Sequence, residues 1–162
     1  MSARIGLARK IARNLLKRLN INTPPIRLSL IVKALKCEVF AKDLNDGLSG
    51  IQISVSDECF ILYNKNQHVH RKRFTVAHEI GHFILGHGRE GLKCSLREKH
   101  NKEIEANQFA AELLMPRFLL KKEILKGVNT VESLALRFWV SKEAMAWRLL
   151  ETGFYKRLSA WD

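Results

Sequence analysis

The first twenty positions place apolar and polar residues at the spacing of an α-helix. Apolar side chains recur every three or four residues, and arginine and lysine occupy the other side. This pattern predicts an amphipathic helix over residues 3–19. A proline-containing segment at 22–25 ends that helix, and a second, short helix follows, for which Ser29 is the candidate N-cap.

Three short segments with strand patterns follow the two helices. They lie at 38–41, 51–55 and 59–63, separated by turn-forming residues around Gly47 and Asp57. The middle segment alternates apolar and polar residues with a period of two. We therefore expect a small antiparallel three-stranded sheet.

The second half of the chain has helical periodicity almost throughout. It predicts an irregular segment at 86–100 and helices at about 69–86, 101–115, 117–125, 130–138 and 142–152. The predicted fold class is α+β, in which the sheet packs on helix 69–86 and a helical C-terminal region follows. The expected organisation is a basic helix at 1–22, a core at 23–126 and a C-terminal helical hairpin at 127–162.

Composition restricts the class of protein. A chain of 162 residues with 46% hydrophobic residues is suited to one compact domain. No window approaches the roughly 18 uninterrupted apolar residues of a membrane span, so we expect no transmembrane segment. The three cysteines are far apart and form no CxxC, which argues against a disulfide framework or a cysteine-rich zinc module and favours a reducing, cytoplasmic compartment.

The charge is concentrated at the N-terminus. The formal net charge is +12, and residues 1–36 contain nine basic residues and no acidic one. Such a field favours an acidic protein, a nucleic acid or an anionic membrane surface as partner. We read the first helix as docked on the core with its basic face in solvent; a transit peptide and a membrane-surface helix are the alternatives.

An HExxH segment lies inside the helical pattern at 78–82. Residues four apart share one helix face, so the imidazoles of His78 and His82 converge on one point. Glu79 is rotated away from them and can reach a metal-bound water without ligating the metal. Leu85 and Gly88 exclude the metzincin spacing, and we read His87 as a loop histidine.

A second predicted helix supplies the candidate third ligand. A glutamate some twenty residues after HExxH completes a site of two histidines and one carboxylate with an open fourth position. Glu105 lies on the side of this helix that carries Phe109, whereas Glu103 lies on the side that carries Asn107. Both glutamates remain candidates at this point.

Two segments of the chain carry a family resemblance. Residues 73–82, RFTVAHEIGH, and 105–116, EANQFAAELLMP, together closely resemble the ImmA/IrrE family of metallopeptidases, over about residues 25–152. The resemblance implies a zinc-dependent peptidase fold, whose members often cleave or act on a helix-turn-helix repressor encoded beside them.

The resemblance also implies roles for single residues. Carried over by position, His78, His82 and Glu105 would bind Zn²⁺ and Glu79 would be the general base. Glu103 stays as a rival third ligand, because two glutamates precede the Ala-Asn step.

Further positions around the expected site have open roles. A partner on the outer side should orient each imidazole, and Asn107 is the candidate. An oxyanion donor is expected as well, and the sequence does not choose between Tyr63, His68, His70 and His100. We read Cys94 as a loop cysteine rather than an inhibitory thiolate.

Residues 134–149 are typical of a helix-turn-helix pair. Ser141 is expected to cap the second helix, and Trp139 stands where such turns usually have glycine. We interpret the pair as a hairpin packed on the core. DNA contact through basic residues such as Lys142 and Arg148, and docking of a repressor, are the alternatives.

Two functions follow from these observations. The first is a zinc-dependent metallo-endopeptidase of narrow specificity that cleaves a neighbour-encoded, Xre-type helix-turn-helix repressor. The alternative is a regulatory or toxin–antitoxin binding module that acts on a repressor or on DNA without proteolysis. The intact Glu79 favours the enzyme, and the charge of +12 favours the binding module.

Overall fold

The computed structural model describes residues 2–44, 47–55, 58–87 and 96–158, without the side chains of 96–98. Cys94 lies outside these ranges. The described part contains a three-stranded sheet and helices on both sides of it in sequence. The elements are α1 (Ile5–Arg18), α2 (Leu28–Ala34), β1 (Cys37–Lys42), β2 (Gly50–Val55), β3 (Glu58–Asn64), α3 (Val69–Leu85), α4 (Leu96–Leu114), α5 (Arg117–Leu125), α6 (Val131–Phe138) and α7 (Lys142–Thr152), followed by a 3₁₀ turn at Phe154–Arg157.

Most of the expected elements are present, with shifted boundaries. The predicted α+β class is confirmed. Ser29 lies inside α2, which begins after Arg27, so the expected cap is wrong. Helix α4 begins at Leu96, so the expected irregular segment at 86–100 is too long by one helical turn at its end. The charged residues at the start of α4 hid this turn, because they lack an apolar repeat.

The sheet is mixed rather than antiparallel. Strand β3 lies in the centre, with β2 antiparallel on one side and β1 parallel on the other. The segment 43–49 between β1 and β2 is longer than the tight turns that make consecutive strands pair directly. Strand β3 therefore occupies the position between them, where its side chains Cys59 and Ile61 are fully buried.

The parallel register of β1 and β3 brings two cysteines together. Cys37 is the register partner of Cys59, and a disulfide joins them. The number and spacing of the cysteines argued against disulfides, and for these two residues that expectation is wrong, so the cysteines no longer favour a reducing compartment. The sequence gives no local signal of the pair, because the two residues are 22 positions apart. Only the strand order makes them neighbours.

The HExxH helix, α3, packs between the sheet and α4. A Cβ atom built on Gly81 would lie 3.0 Å from Cδ1 of Phe109 and 3.3 Å from Cα of Ala106. The two helices therefore approach more closely than any larger residue at 81 would allow. This close approach determines which face of α4 meets the HExxH motif.

Helix α1 docks on α4, as its amphipathic pattern predicted. Its buried side chains are Ala8, Ala12, Leu15 and Leu16. Part of its basic face is also bound, because the Arg9 guanidinium donates to Gln108 on α4 at 2.7–2.9 Å. The buried apolar residues form one continuous core from Ala8 to Phe154.

The C-terminal residues form the expected helix pair, α6 and α7, joined by a turn at Trp139. Ser141 accepts a hydrogen bond from the backbone N–H of Ala144 at 3.1 Å and caps α7. Trp139 adopts the left-handed conformation, with φ of 56°, that glycine usually supplies at this position. Arg148 is buried, so this member of the basic set is unavailable to DNA. No helix of the described residues is both long and apolar enough to cross a bilayer.

The buried carboxylate of Glu123 on α5 gives a pH-dependent contribution to stability. Burial would raise the pKa of Glu123, but hydrogen bonds from Lys126 at 2.8 Å and Arg137 at 3.0 Å lower it below its usual value. Because its pKa is lower in the folded state, the Glu123 carboxylate stabilises the fold at pH values above about 4.3, the usual glutamate pKa. This stabilisation is lost progressively as the pH falls below that value. We expect the free energy of unfolding of the wild type to exceed that of Glu123→Gln near neutral pH, with a gap that narrows on acidification. Urea titrations from pH 7 to 3 measure this, with the exposed Glu143→Gln as control; a gap that widens in acid would contradict it.

Candidate metal centre

One face of α3 presents both histidines of the HExxH motif. His78 and His82 lie one turn apart, with their ring centroids 4.6 Å from each other. Their Nε2 atoms are 2.9 Å apart. The local helix geometry alone produces this pair, as the spacing predicted.

Helix α4 brings a carboxylate to the same point. Oε2 of Glu103 lies 3.2 Å from Nε2 of His78, and Oε1 lies 3.3 Å from Nε2 of His82. Within the described residues, these three side chains form the one group whose donor atoms could share a metal ion.

The donor set fits zinc. Bonds of about 2.0–2.2 Å in a tetrahedral site separate ligand atoms by about 3.3 Å. The separations among the three side chains, 2.9, 3.2 and 3.3 Å, are close to that value. Two imidazoles and one carboxylate leave the fourth position open, which is the donor set of catalytic rather than structural zinc sites.

Glu105, the first-named candidate for the third ligand, lies elsewhere. Residues two positions apart on a helix are rotated by about 200°, so Glu103 and Glu105 point to opposite sides of α4. Glu105 accepts hydrogen bonds from Arg4 at 2.8–3.1 Å and contacts Nε2 of His87 at 3.1 Å. The rival candidate, Glu103, therefore occupies the position beside the two histidines. Glu105 is buried, and its partners there are Arg4 at the start of α1 and His87 rather than the HExxH face of α3.

Glu79 is buried beside the histidines. Its carboxylate accepts a hydrogen bond from the backbone N–H of Gln52 on β2. A Cβ atom on Gly50 would collide with Cγ2 of Thr75 and lie 3.3 Å from Oε1 of Glu79, so only glycine lets β2 pass this close. Burial raises the pKa of Glu79 above its usual value, although the neighbouring histidines oppose that rise. A raised pKa moves a carboxylate towards the range useful for proton transfer at neutral pH.

Hydrogen-bonded partners shift the pKa values of His78, Glu103 and Glu105. Burial would lower the pKa of His78, but the hydrogen bond with Glu103, the charge of Glu79 and the charge of Glu103 raise it. Hydrogen bonds with His78 and His82 bring the pKa of Glu103 far below its usual value. Burial would raise the pKa of Glu105, but its hydrogen bonds with Arg4 lower it to about 2. Both carboxylates are therefore anionic at neutral pH.

Each imidazole has a partner on its outer side. Nδ1 of His78 lies 2.9 Å from Oδ1 of Asn107, the residue expected at this position from the sequence. Nδ1 of His82 lies 3.0 Å from Nδ1 of His87, which the sequence pattern placed in a loop without a role. The left-handed conformation of Gly86 ends α3 and turns the backbone so that His87 contacts His82. No periodic pattern in the sequence predicts this contact.

The site opens into a groove of about 1550 Å³. Its walls come from the start of β2, α3, α4 and the outer face of α7, where Trp147 is two-thirds exposed. Of the four candidate oxyanion donors, His68 and His70 line this groove, and Tyr63 and His100 do not. The groove leaves His78, Glu79 and His82 accessible to a ligand from solvent.

A solved structure has a similar fold. The structure described as "Mycobacterium tuberculosis transcriptional regulator" matches with a TM-score of 0.68 and 15% sequence identity, over 88% of this chain and 46% of that chain. This chain therefore corresponds to less than half the length of that protein, and at this identity the likeness concerns the fold alone. Among curated proteins, none matches the chain.

The sequence also matches a protein-family model. The match runs over residues 32–150, which include the HExxH helix, α4, α6 and all but the last two residues of α7. The resemblance seen in the sequence is thereby confirmed: the chain belongs to the peptidase family described as Peptidase_M78, IrrE N-terminal-like domain.

Proposed function

We propose that the protein is a zinc-dependent metallo-endopeptidase of narrow specificity. The observation that carries this proposal is the convergence of His78, His82 and Glu103, with the carboxylate of Glu79 buried beside them. In this proposal Glu103 takes the ligand role first assigned to Glu105. The catalytic core lies within residues 23–126, and the described helices of the flanking segments 1–22 and 127–162 pack on it.

The roles of the protein groups follow from their positions. When bound, a zinc ion supplies a Lewis acid that polarises the scissile carbonyl and lowers the pKa of a coordinated water to about 7. Glu79 accepts a proton from the attacking water and delivers it to the leaving amine. Asn107 holds the ring of His78 through Nδ1, which keeps Nε2 directed at the centre.

The proposed substrate is a neighbour-encoded, Xre-type helix-turn-helix repressor. The open groove beside Glu79 supports a polypeptide substrate. Family membership supports peptide-bond hydrolysis, and the similar solved structure is that of a transcriptional regulator. A binding module that acts on a repressor, an antitoxin or DNA without proteolysis is the second candidate, supported by the net charge of +12.

Incubation of the purified repressor with the zinc-loaded protein tests the proposal directly. We expect intact-mass analysis to find two discrete fragments whose masses add up to the repressor plus one water, because a single peptide bond is hydrolysed. The metal-free protein should leave the repressor whole, and added zinc should restore the cut. Stable co-purification with an uncut repressor would contradict the enzyme and support the binding module.

The assignment of Glu103 as the third ligand has its own test. Glu103→Gln removes an anionic donor from the group, so we expect zinc affinity to fall by more than the roughly 10- to 100-fold that loss of an outer-shell partner costs. Competition with a chromogenic chelator measures the affinity. Glu132→Gln removes the same charge from an exposed pair with Lys142 and is the matched control. Equal zinc affinity in the two variants would exclude Glu103 as a ligand.

A further inference from the structure

A series of hydrogen-bonded side chains connects His82 with the N-terminal segment. Nδ1 of His82 lies 3.0 Å from Nδ1 of His87, and Nε2 of His87 lies 3.1 Å from Oε2 of Glu105. Oε1 of Glu105 accepts from the backbone N–H and from Nε of Arg4, and Oε2 accepts from Nη2 of Arg4. The proposed peptidase chemistry uses none of His87, Glu105 and Arg4.

When His82 binds a metal through Nε2, only one assignment of protons to the ring nitrogens satisfies every hydrogen bond in this series of side chains. Nδ1 of His82 then carries the proton and donates to Nδ1 of His87, because a neutral imidazole has one donor and one acceptor nitrogen. Nε2 of His87 carries the proton of that ring and donates to the carboxylate of Glu105. Glu105 accepts every hydrogen bond that reaches it, and Arg4 donates every one that it makes to Glu105. No member has to change its protonation state.

The members of this series that lie nearest to the metal site are buried. The side chains of His87 and Glu105 are 3% and 5% exposed, whereas the side chain of Arg4 is 56% exposed. A buried imidazole and a buried carboxylate are costly to desolvate unless each has its partner. The pair therefore has one low-energy arrangement, and that arrangement directs Nδ1 of His87 at His82.

The last member of the series, Arg4, lies at the start of α1. Arg4 is the N-cap residue of α1, and its backbone N–H donates to Glu105 at 2.8 Å. A carboxylate at a helix N-terminus is stabilised by the positive end of the helix dipole. Docking of α1 on α4 and the orientation of Glu105 thus depend on the same contacts.

We infer that Glu105 and His87 are positioning residues for the metal ligand His82, and that Arg4 couples this pair to the docking of the N-terminal helix. The inference rests on the proposed metal site. It gives the basic N-terminal helix a role at the site: the helix keeps the carboxylate of Glu105 aligned, and the two buried side chains transmit that alignment to His82.

Zinc affinity of the full chain is the first readout, measured by competition with a chromogenic chelator. We expect His87→Ala to bind zinc roughly 10- to 100-fold more weakly, the usual cost of losing an outer-shell partner of a ligating histidine. His87→Gln keeps one acceptor and one donor, so it should recover part of the loss. Wild-type affinity in His87→Ala would overturn the inference.

The coupling to α1 requires a second comparison. Arg4→Ala removes the side-chain hydrogen bonds to Glu105 and should weaken zinc binding by up to roughly fivefold, the contribution of an ion pair with one exposed partner. Arg9→Ala is the matched control, because Arg9 lies on the same helix and donates to Gln108 and Glu151 rather than to Glu105. Equal effects of the two variants on zinc affinity would overturn the role of Arg4.

Cobalt substitution separates positioning from a general loss of structure. The visible spectrum of bound Co²⁺ reports ligand geometry, so a folded His87→Ala protein with an altered spectrum supports the inference, and an unchanged spectrum opposes it. Glu103→Gln serves as the reference in the same titrations. If it binds zinc like the wild type, the proposed metal site fails and this inference with it. If it loses zinc while His87→Ala does not, only the positioning role fails.

Discussion

Glu79→Gln is expected to lower the rate of repressor cleavage by roughly 10²- to 10⁴-fold, the usual contribution of a general base. Glutamine has nearly the same shape and can still occupy the space beside Gly50, but it cannot accept a proton from water. The hydrogen bond from the backbone N–H of Gln52 survives, because the amide oxygen accepts it. Zinc affinity should remain close to that of the wild type, since Glu79 is not among the three grouped ligands.

The measurement combines single-turnover cleavage, followed by intact mass, with a zinc titration of each variant. Glu132→Gln is the control, because it removes an exposed carboxylate, paired with Lys142, that does not line the groove. Cleavage at the wild-type rate by Glu79→Gln would refute the role of Glu79 as the base. If neither the wild type nor Glu79→Gln cleaves the repressor, and Glu79→Gln regulates it as well as the wild type does, the binding module is favoured.

Arg148→Met is expected to lower the free energy of unfolding by about 3–5 kcal/mol, the cost of breaking a buried ion pair from one side. Arg148 of α7 contacts the carboxylate of Glu112 on α4, and both side chains are at most 2% exposed. Its Nε also donates to the carbonyl oxygen of Met115 at 3.0 Å. The substitution leaves the Glu112 carboxylate and this carbonyl without their main donor. A domain with a total stability of about 5–15 kcal/mol would lose a large part of it.

Urea denaturation measures this effect, and two further variants interpret it. Lys142→Met removes a cation from the same helix, but its pair with Glu132 is exposed and should contribute about 0–1 kcal/mol. The double variant Glu112→Leu, Arg148→Met removes both charges and should recover much of the loss, because no carboxylate stays buried alone. Equal destabilisation by Arg148→Met and Lys142→Met would contradict the assignment of a buried pair.

The helices of this protein were predictable because their signals are local. The periodic apolar residues of α1 and of the helix pair α6–α7 predicted where each helix lies and which side is buried. The cap at Ser141 was predictable for the same reason, since a cap depends on residues within one turn. The spacing of His78 and His82 belongs to this class as well.

The strand order was not predictable from the same kind of signal. Each strand was located to within one residue at either end, but alternation within a strand says nothing about which neighbour it pairs with. The parallel pairing of β1 with β3, and the meeting of Cys37 with Cys59, depend on the position of β3 between β1 and β2.

The amino-acid sequence by itself determined the helices, the α+β class, the family and the HExxH turn that presents two imidazoles to one point. Only the tertiary structure decided that Glu103 rather than Glu105 lies beside them, that His87 folds back against His82, and that Arg148 is buried. Periodicity specifies the faces of a helix, but the neighbour of each face is chosen by contacts between residues far apart in the chain. Helix α1 covers the side of α4 that carries Glu105, and α3 takes the side that carries Glu103.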